Sequence, residues 1–293
     1  MSDVATVVSQ LKQDLIASID QLLINLPAYP GAKATLRVQT LGGFHVSCDD
    51  VEVLSTAWGR EKALHLFQFF ITMHHQYLHK EQIIDRLWPE LDMEKGDRDF
   101  KVALNSINKA LEPTREPRHE PRFTLRYGLA YGLDFANVWL DTEVLEQLIT
   151  VANQALLERS GQLDAAQNHA IACYTAAVNL YNGDYLPERR YEDWSSAERE
   201  RLQLLALNTM TRLAELLLER SPLESVRLTQ RVLAIDPVWE DAYRIQMRSY
   251  MVQRNRPLAI RTYEKCRKVL DEEFGVDPLP ETTALYQQVI KAR

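Results

Sequence analysis

Arg98, Lys101, Asn105 and Asn108 lie three or four residues apart within Asp97–Leu111, the repeat that gathers side chains onto one face of a helix. The opposite face carries Phe100, Leu104 and Ile107. Arginine and lysine reach phosphates or guanine edges, and an asparagine amide forms two hydrogen bonds to adenine N6 and N7. A helix seated in the major groove needs such donors on one face and an apolar face behind it. Lys109 extends the set. Arg118, Arg122 and Arg126 follow on or just before a predicted β-hairpin, where a wing touches the minor groove or the flanking phosphates. The plain alternatives are an ordinary solvated helix and loop arginines paired with Glu116 and Glu120; position in the fold has to decide between them. His79 and Lys80, at the start of another predicted helix, would present its N-terminus to phosphate or simply cap it.

Catalytic chemistry finds little footing. No Walker loop, Ser-His-Asp arrangement or Gly-x-Ser-x-Gly elbow is present, and ten glycines are too few for a nucleotide-binding loop. His74, His75 and His79 straddle a predicted turn without a nearby acid-cysteine set, a poor basis for a metal site. Cys48, Cys173 and Cys266 lie far apart, suggesting neither a disulfide framework nor a zinc knuckle. The sequence therefore predicts no catalytic residue, no metal and no cofactor. The chain has 293 residues, 46% of them hydrophobic and 26% charged, with a net charge of −7. That is the composition of a globular protein of about two domains, and the absence of a long apolar run predicts a cytoplasmic protein without a membrane partner. Acidity of the whole argues against DNA, but between Lys95 and Arg126 eight Lys or Arg stand against five acids, a balance of +3.

The elements that must position these residues are legible in outline. Val4, Val8, Leu11, Leu15, Ile19, Leu22 and Leu26 form one helical face before Pro27, either packed on its own domain or forming a dimer seam. From Leu36 to Thr40 the pattern alternates as a strand, and Gly42-Gly43 allows a turn or bulge. Helices are predicted over Glu61 to His74, His79 to Trp88 and Asp97 to Leu111. A loop punctuated by Pro113, Pro117 and Pro121 leads to strands Arg122 to Arg126 and Tyr131 to Leu133. From about Trp139 the texture is helical, and Ser225, Thr229 and Val232 are matched 34 residues on by Ala259, Tyr263 and Cys266, a tetratricopeptide-like period. Ala170, Tyr174 and Ala177 repeat the internal spacing upstream. The expected fold is mainly α: a possible dimerisation helix over residues 1–30, a winged helix-turn-helix (α+β) over 36–138, and an α-helical repeat domain over 139–293.

Particular stretches add a likeness. Leu41-Gly42-Gly43-Phe44, Trp58 with Glu61-Lys62-Ala63, Glu81 to Leu87 before Trp88-Pro89, and Val102 to Leu111 resemble one half of a known family. Leu180-Tyr181-Asn182-Gly183-Asp184-Tyr185-Leu186, Trp194 with Glu198 to Leu202, Asp236-Pro237 with Glu240, and Leu270 to Pro278 resemble the other. The family is that of antibiotic regulatory protein-type regulators, an OmpR-like winged helix joined to a bacterial transcriptional activator domain. The resemblance implies a transcriptional activator that binds promoter repeats in double-stranded DNA, commonly as a homodimer, and contacts RNA polymerase. This chain departs from the pattern in a recognition helix poor in arginine, with Asp97 and Asp99 at its expected start, where acids suit the dipole but repel phosphate. The alternative is an adaptor whose winged helix has weak or lost DNA binding and whose repeats recruit a further protein partner; a ligand-sensing repeat domain is a third reading.

Overall fold

In the computed structural model the described residues are 2–26, 29–116, 118–157 and 163–291. Pro27 and Pro117, and the side chains of Val4 and Val8, lie outside them. The chain forms two compact units: Leu23–Val144 with Leu180–Gln203, and Met1–Leu22 with Leu145–Asn179 and Leu204–Arg293.

In the first unit, β1 (Leu36–Gln39), β2 (His45–Cys48), β3 (Val51–Glu52) and a late strand, Val138–Leu140, make a sheet in which the late strand runs parallel to β1. Leu36, Val38, Val46 and Cys48 point into the core, as period-two alternation requires. The β2–β3 link is the two-residue turn Asp49-Asp50, both at positive φ, the conformation of a type I′ hairpin. Helix α1 (Ser2–Leu23) precedes this sheet in the chain. Helices α2 (Glu61–Thr72), α3 (Lys80–Leu87) and α4 (Met93–Leu111) follow β3 and precede the late strand. The two-residue β4 (Leu78–His79) stands just before α3 and pairs with β6 (Ala130–Leu133), which forms a hairpin with β5 (Thr124–Tyr127). The late strand is β7. Leu66, Phe67, Ile83, Leu87, Trp88, Phe100, Ile107 and Tyr131 are among the side chains that close the core.

Two boundaries differ from the sequence reading, and both shape the candidate interface. Helix α4 begins at Met93, four residues before Asp97, because Asp92 caps it: its carboxylate accepts from the Lys95 amide at 2.9 Å. Gly96 permits the close crossing of α3, since a Cβ there would stand 2.4 Å from the Ile84 side chain. The hairpin strands run Thr124–Tyr127 and Ala130–Leu133, leaving the two-residue turn Gly128-Leu129 with Gly128 at φ +63, which glycine adopts without steric cost.

Helix α2 is buried on nearly all sides, including His65, Gln68 and Thr72. The reason lies more than a hundred residues downstream, in Leu180–Gln203. Leu41 bridges to Tyr185, the Gly42 amide donates to Asp184 at 2.9 Å, and the Leu186 amide donates to Thr40 at 2.9 Å. Tyr185 and Thr72 share a hydroxyl–hydroxyl bond of 2.8 Å. The Gln68 amide donates to Glu188 at 2.7 Å and accepts from Arg189 at 2.7 Å. Gly42, at φ +86, meets Asn182 so closely that a Cβ would stand 2.9 Å from its backbone. The Leu41-Gly42-Gly43 stretch and the Asn182–Leu186 stretch are halves of one joint.

In the second unit, α6 (Leu163–Leu180, its last residue in the first unit), α8 (Pro222–Ile235), α9 (Glu240–Val252), α10 (Arg256–Phe274) and α11 (Pro280–Lys291) stack with parts of α1, α5 (Asp141–Leu157) and α7 (Asp193–Leu217). Ser225, Thr229, Val232, Ala259, Tyr263 and Cys266 are all buried, as are Ala170, Tyr174 and Ala177. The 34-residue echo thus marks the inner faces of α8 and α10. In α1, Ile19 and Leu23 are buried while Leu11 is 62% exposed.

Candidate nucleic-acid interface

The outer face of α4 carries Arg98, Lys101, Asn105 and Lys109, all exposed, while Phe100, Ala103 and Ile107 are buried behind them. At about 100° per residue Lys109 falls in line with Arg98 and Asn105. Asn108 does not belong to the stripe, and the expectation that it faces a groove is corrected. It is 5% exposed, and its side-chain oxygen accepts from the Thr124 hydroxyl at 2.7 Å. Turned toward the hairpin, it fixes β5 to α4 instead of reading a base. Lys109 also borders a cleft of about 940 Å³ shared with the β2–β3 turn and the loop after α4.

The arginines expected to serve the wing are engaged elsewhere. Arg122 precedes β5, so it stands outside the hairpin, and its guanidinium grips Asp49 at 2.8 and 3.2 Å. The pairing holds the Asp49 carboxyl below its ordinary range and raises the Arg122 guanidinium. Arg126 lies on β5 but folds back: its Nε donates to the Gly128 carbonyl at 2.9 Å, and its guanidinium lies 5.6 Å from the Tyr131 ring centre. Arg118 is exposed on the loop. What the wing tip presents outward is Tyr127, 61% exposed and edge-on to Tyr77, together with Leu129, 50% exposed.

Part of the charge on α4 is paired within the protein. Lys101 lies 2.6 Å from Asp97, Lys80 on α3 bonds the other oxygen of the same carboxylate, and Lys95 meets Asp92 at 2.8 Å. Hydrogen bonds from Lys101 and Lys80 lower the Asp97 pKa, and those from Lys95 lower that of Asp92. Asp97 and Asp99 lie within the second turn rather than at the helix start. The signal for Asp92 was available, since an aspartate before a helical run is a standard cap; the Asp97 bridge to α3 had no local signal.

His79 acts as the cap of α3, its side chain taking the Gln82 amide while Gln82 accepts from the His79 amide at 3.2 Å. His75 bonds Glu143 at 2.7 Å, and the rings of His74 and His75 pack on each other and on Phe135. Among the described residues no group of three or more His, Cys, Asp or Glu is placed to hold a metal ion. All three cysteines are buried thiols; burial pushes Cys48 and Cys173 up to about 11 and Cys266 to about 12.

A winged helix-turn-helix followed by stacked helical hairpins is the architecture of a transcription regulator. Residues 140–290 match the bacterial transcriptional activator domain, and the chain belongs to that family. The structure of Mycobacterium tuberculosis EmbR in complex with a low-affinity phosphopeptide shares the fold, with a TM-score of 0.74 at 16% sequence identity over 88% of this chain. This chain spans 65% of the length of that one. No curated protein matches the sequence. Among the described residues no helix is long and apolar enough to cross a membrane.

Proposed function

We propose that the protein is a sequence-specific DNA-binding transcriptional activator in which α4 enters the major groove. The observation that carries this reading is the exposed stripe Arg98, Lys101, Asn105 and Lys109 on the third helix of a winged helix-turn-helix, backed by a buried apolar face. Asn105 is the residue suited to an adenine edge, Arg98 to a guanine or a phosphate. Arg118 and the wing tip at Tyr127 and Leu129 add flanking contacts, and Lys109 closes the far end. Domain boundaries in this reading follow the sequence: a winged helix over 36–138 and the activator domain over 139–293, with Leu180–Gln203 of the latter locked onto the former. RNA polymerase is the partner that activation requires, and a homodimer on repeated promoter half-sites is the assembly.

Titrating the full chain against a labelled duplex from its own upstream region, across salt concentrations, tests this. Sequence-preferring binding that weakens with salt is expected, and its absence would sink the reading. A second reading, a protein-interaction adaptor, draws on the engagement of Lys80, Lys95, Lys101, Arg122 and Arg126 within the protein. It is the one left standing if no duplex binds.

A further inference from the structure

Asp97 sits on the second turn of α4, between two lysines of the face that would meet DNA. Its Oδ2 is 2.6 Å from Lys101 Nζ, and its Oδ1 is ion-paired with Lys80 Nζ at the N-terminus of α3. The Asp97 and Lys80 side chains are only 25% and 20% exposed, whereas Lys101 is 63% exposed. The two lysines therefore share one carboxylate, and the group of three carries one positive charge where two lysines alone would carry two. A DNA phosphate can approach from the solvent side, where Lys101 is exposed. It must then draw Lys101 from Asp97 and come close to a carboxylate that Lys80 keeps in place.

We infer that Asp97 is an electrostatic brake built into the DNA-binding face, one that holds down affinity for any duplex without taking part in choosing the sequence. The inference rests on the DNA-binding reading above. Its physical basis is that non-specific binding scales with the number of cations delivered to phosphates, and Asp97 withholds one. The Lys101 half of the triad contributes little to folding, as exposed pairs one turn apart do. The Lys80 half ties α3 to α4, so the brake cannot simply rotate away. An acid so placed also makes occupancy of a lone site weak and favours binding in which a second protomer adds contacts.

The test is Asp97→Asn, which removes the charge and keeps an oxygen for Lys80. Fluorescence anisotropy of the full chain on its own upstream duplex and on a scrambled duplex, across salt, reads the effect. The variant is expected to bind both duplexes about eightfold tighter at 0.1 M salt, with a log–log salt slope steeper by about 0.9 and an unchanged preference between them. In a Lys101→Ala background the same substitution should gain less, because the released cation is missing. Thermal unfolding of each variant checks that the fold is retained, and Asp97→Ser provides a second uncharged side chain. A wild type that binds while folded Asp97→Asn binds no tighter overturns the brake alone. Failure of wild type and variant alike to bind either duplex overturns the DNA-binding reading and the brake with it.

Discussion

Arg98 and Lys109 are the α4 cations that no ion pair among the described residues engages, whereas Lys95 and Lys101 are paired, so the loss of Arg98 should read out directly in DNA binding. Arg98→Ala is expected to weaken binding and to flatten the salt slope by about one phosphate contact, measured by the titration described above; an unaltered slope would place this face away from the nucleic acid. Asn108 belongs to a different physics. With its oxygen bonded to Thr124 out of water, Asn108→Ala strands the hydroxyl and should cost about 1–3 kcal/mol in urea unfolding, while a base-reading role would leave stability untouched. Asp141, at the head of α5, is also fully buried: it accepts from the Thr40 amide at 2.6 Å, the Thr40 hydroxyl at 2.7 Å and the Leu41 amide at 2.9 Å. Desolvation outweighs those bonds and pushes its pKa up to about 6. A carboxyl raised on folding contributes stability that is fully present below its unfolded pKa of about 4 and is lost as pH rises through about 6. Wild type should therefore lose stability relative to Asp141→Asn between pH 4 and 6, which paired denaturant melts will measure.

At the scale of elements, α2 depends on a partner that the local sequence does not announce. Its polar residues His65, Gln68 and Thr72 are buried under Leu180–Gln203, where Arg189 links Gln68 to Glu61 and where Phe69 and His65 pack on Trp194. A fragment ending at residue 140 leaves that face uncovered and should lose its cooperative thermal transition or aggregate; a sharp melt for the fragment would show the winged helix folding unaided. Helix α1 is likewise a structural element over its last turns. Ile19 is fully buried, so Ile19→Ala should cost about 2–5 kcal/mol by the same unfolding assay.

For the whole molecule, the outline was legible because hydrophobic periodicity is local. The alternation from Leu36 to Gln39, the apolar face of α3, Phe100 and Ile107 on α4, and the 34-residue echo at Ser225 and Ala259 appear as read, since each depends on spacing within a few turns, whereas α2 is buried beyond the one face expected of it. The candidate interface was legible in part. Spacing put Arg98, Lys101 and Asn105 on one face, but Asn108 lies near the edge of that arc, and only the approach of β5 decides that it is buried. Wing arginines were assigned by charge, yet their partners, Asp49 for Arg122 and the Gly128 carbonyl for Arg126, are set by folded geometry.

Composition and periodicity by themselves determined the class of fold, the order of its elements, the basic window around α4 and the repeat faces, because each is written in the types and spacing of neighbouring residues. Only the tertiary structure decided which of those cations remain free. It brought Lys80 and Lys101 to Asp97, and it locked Leu41-Gly42 against Tyr185 and Asn182 across about 140 residues of chain. Pairings between distant segments follow from how packed faces meet, and no periodicity within either segment encodes them.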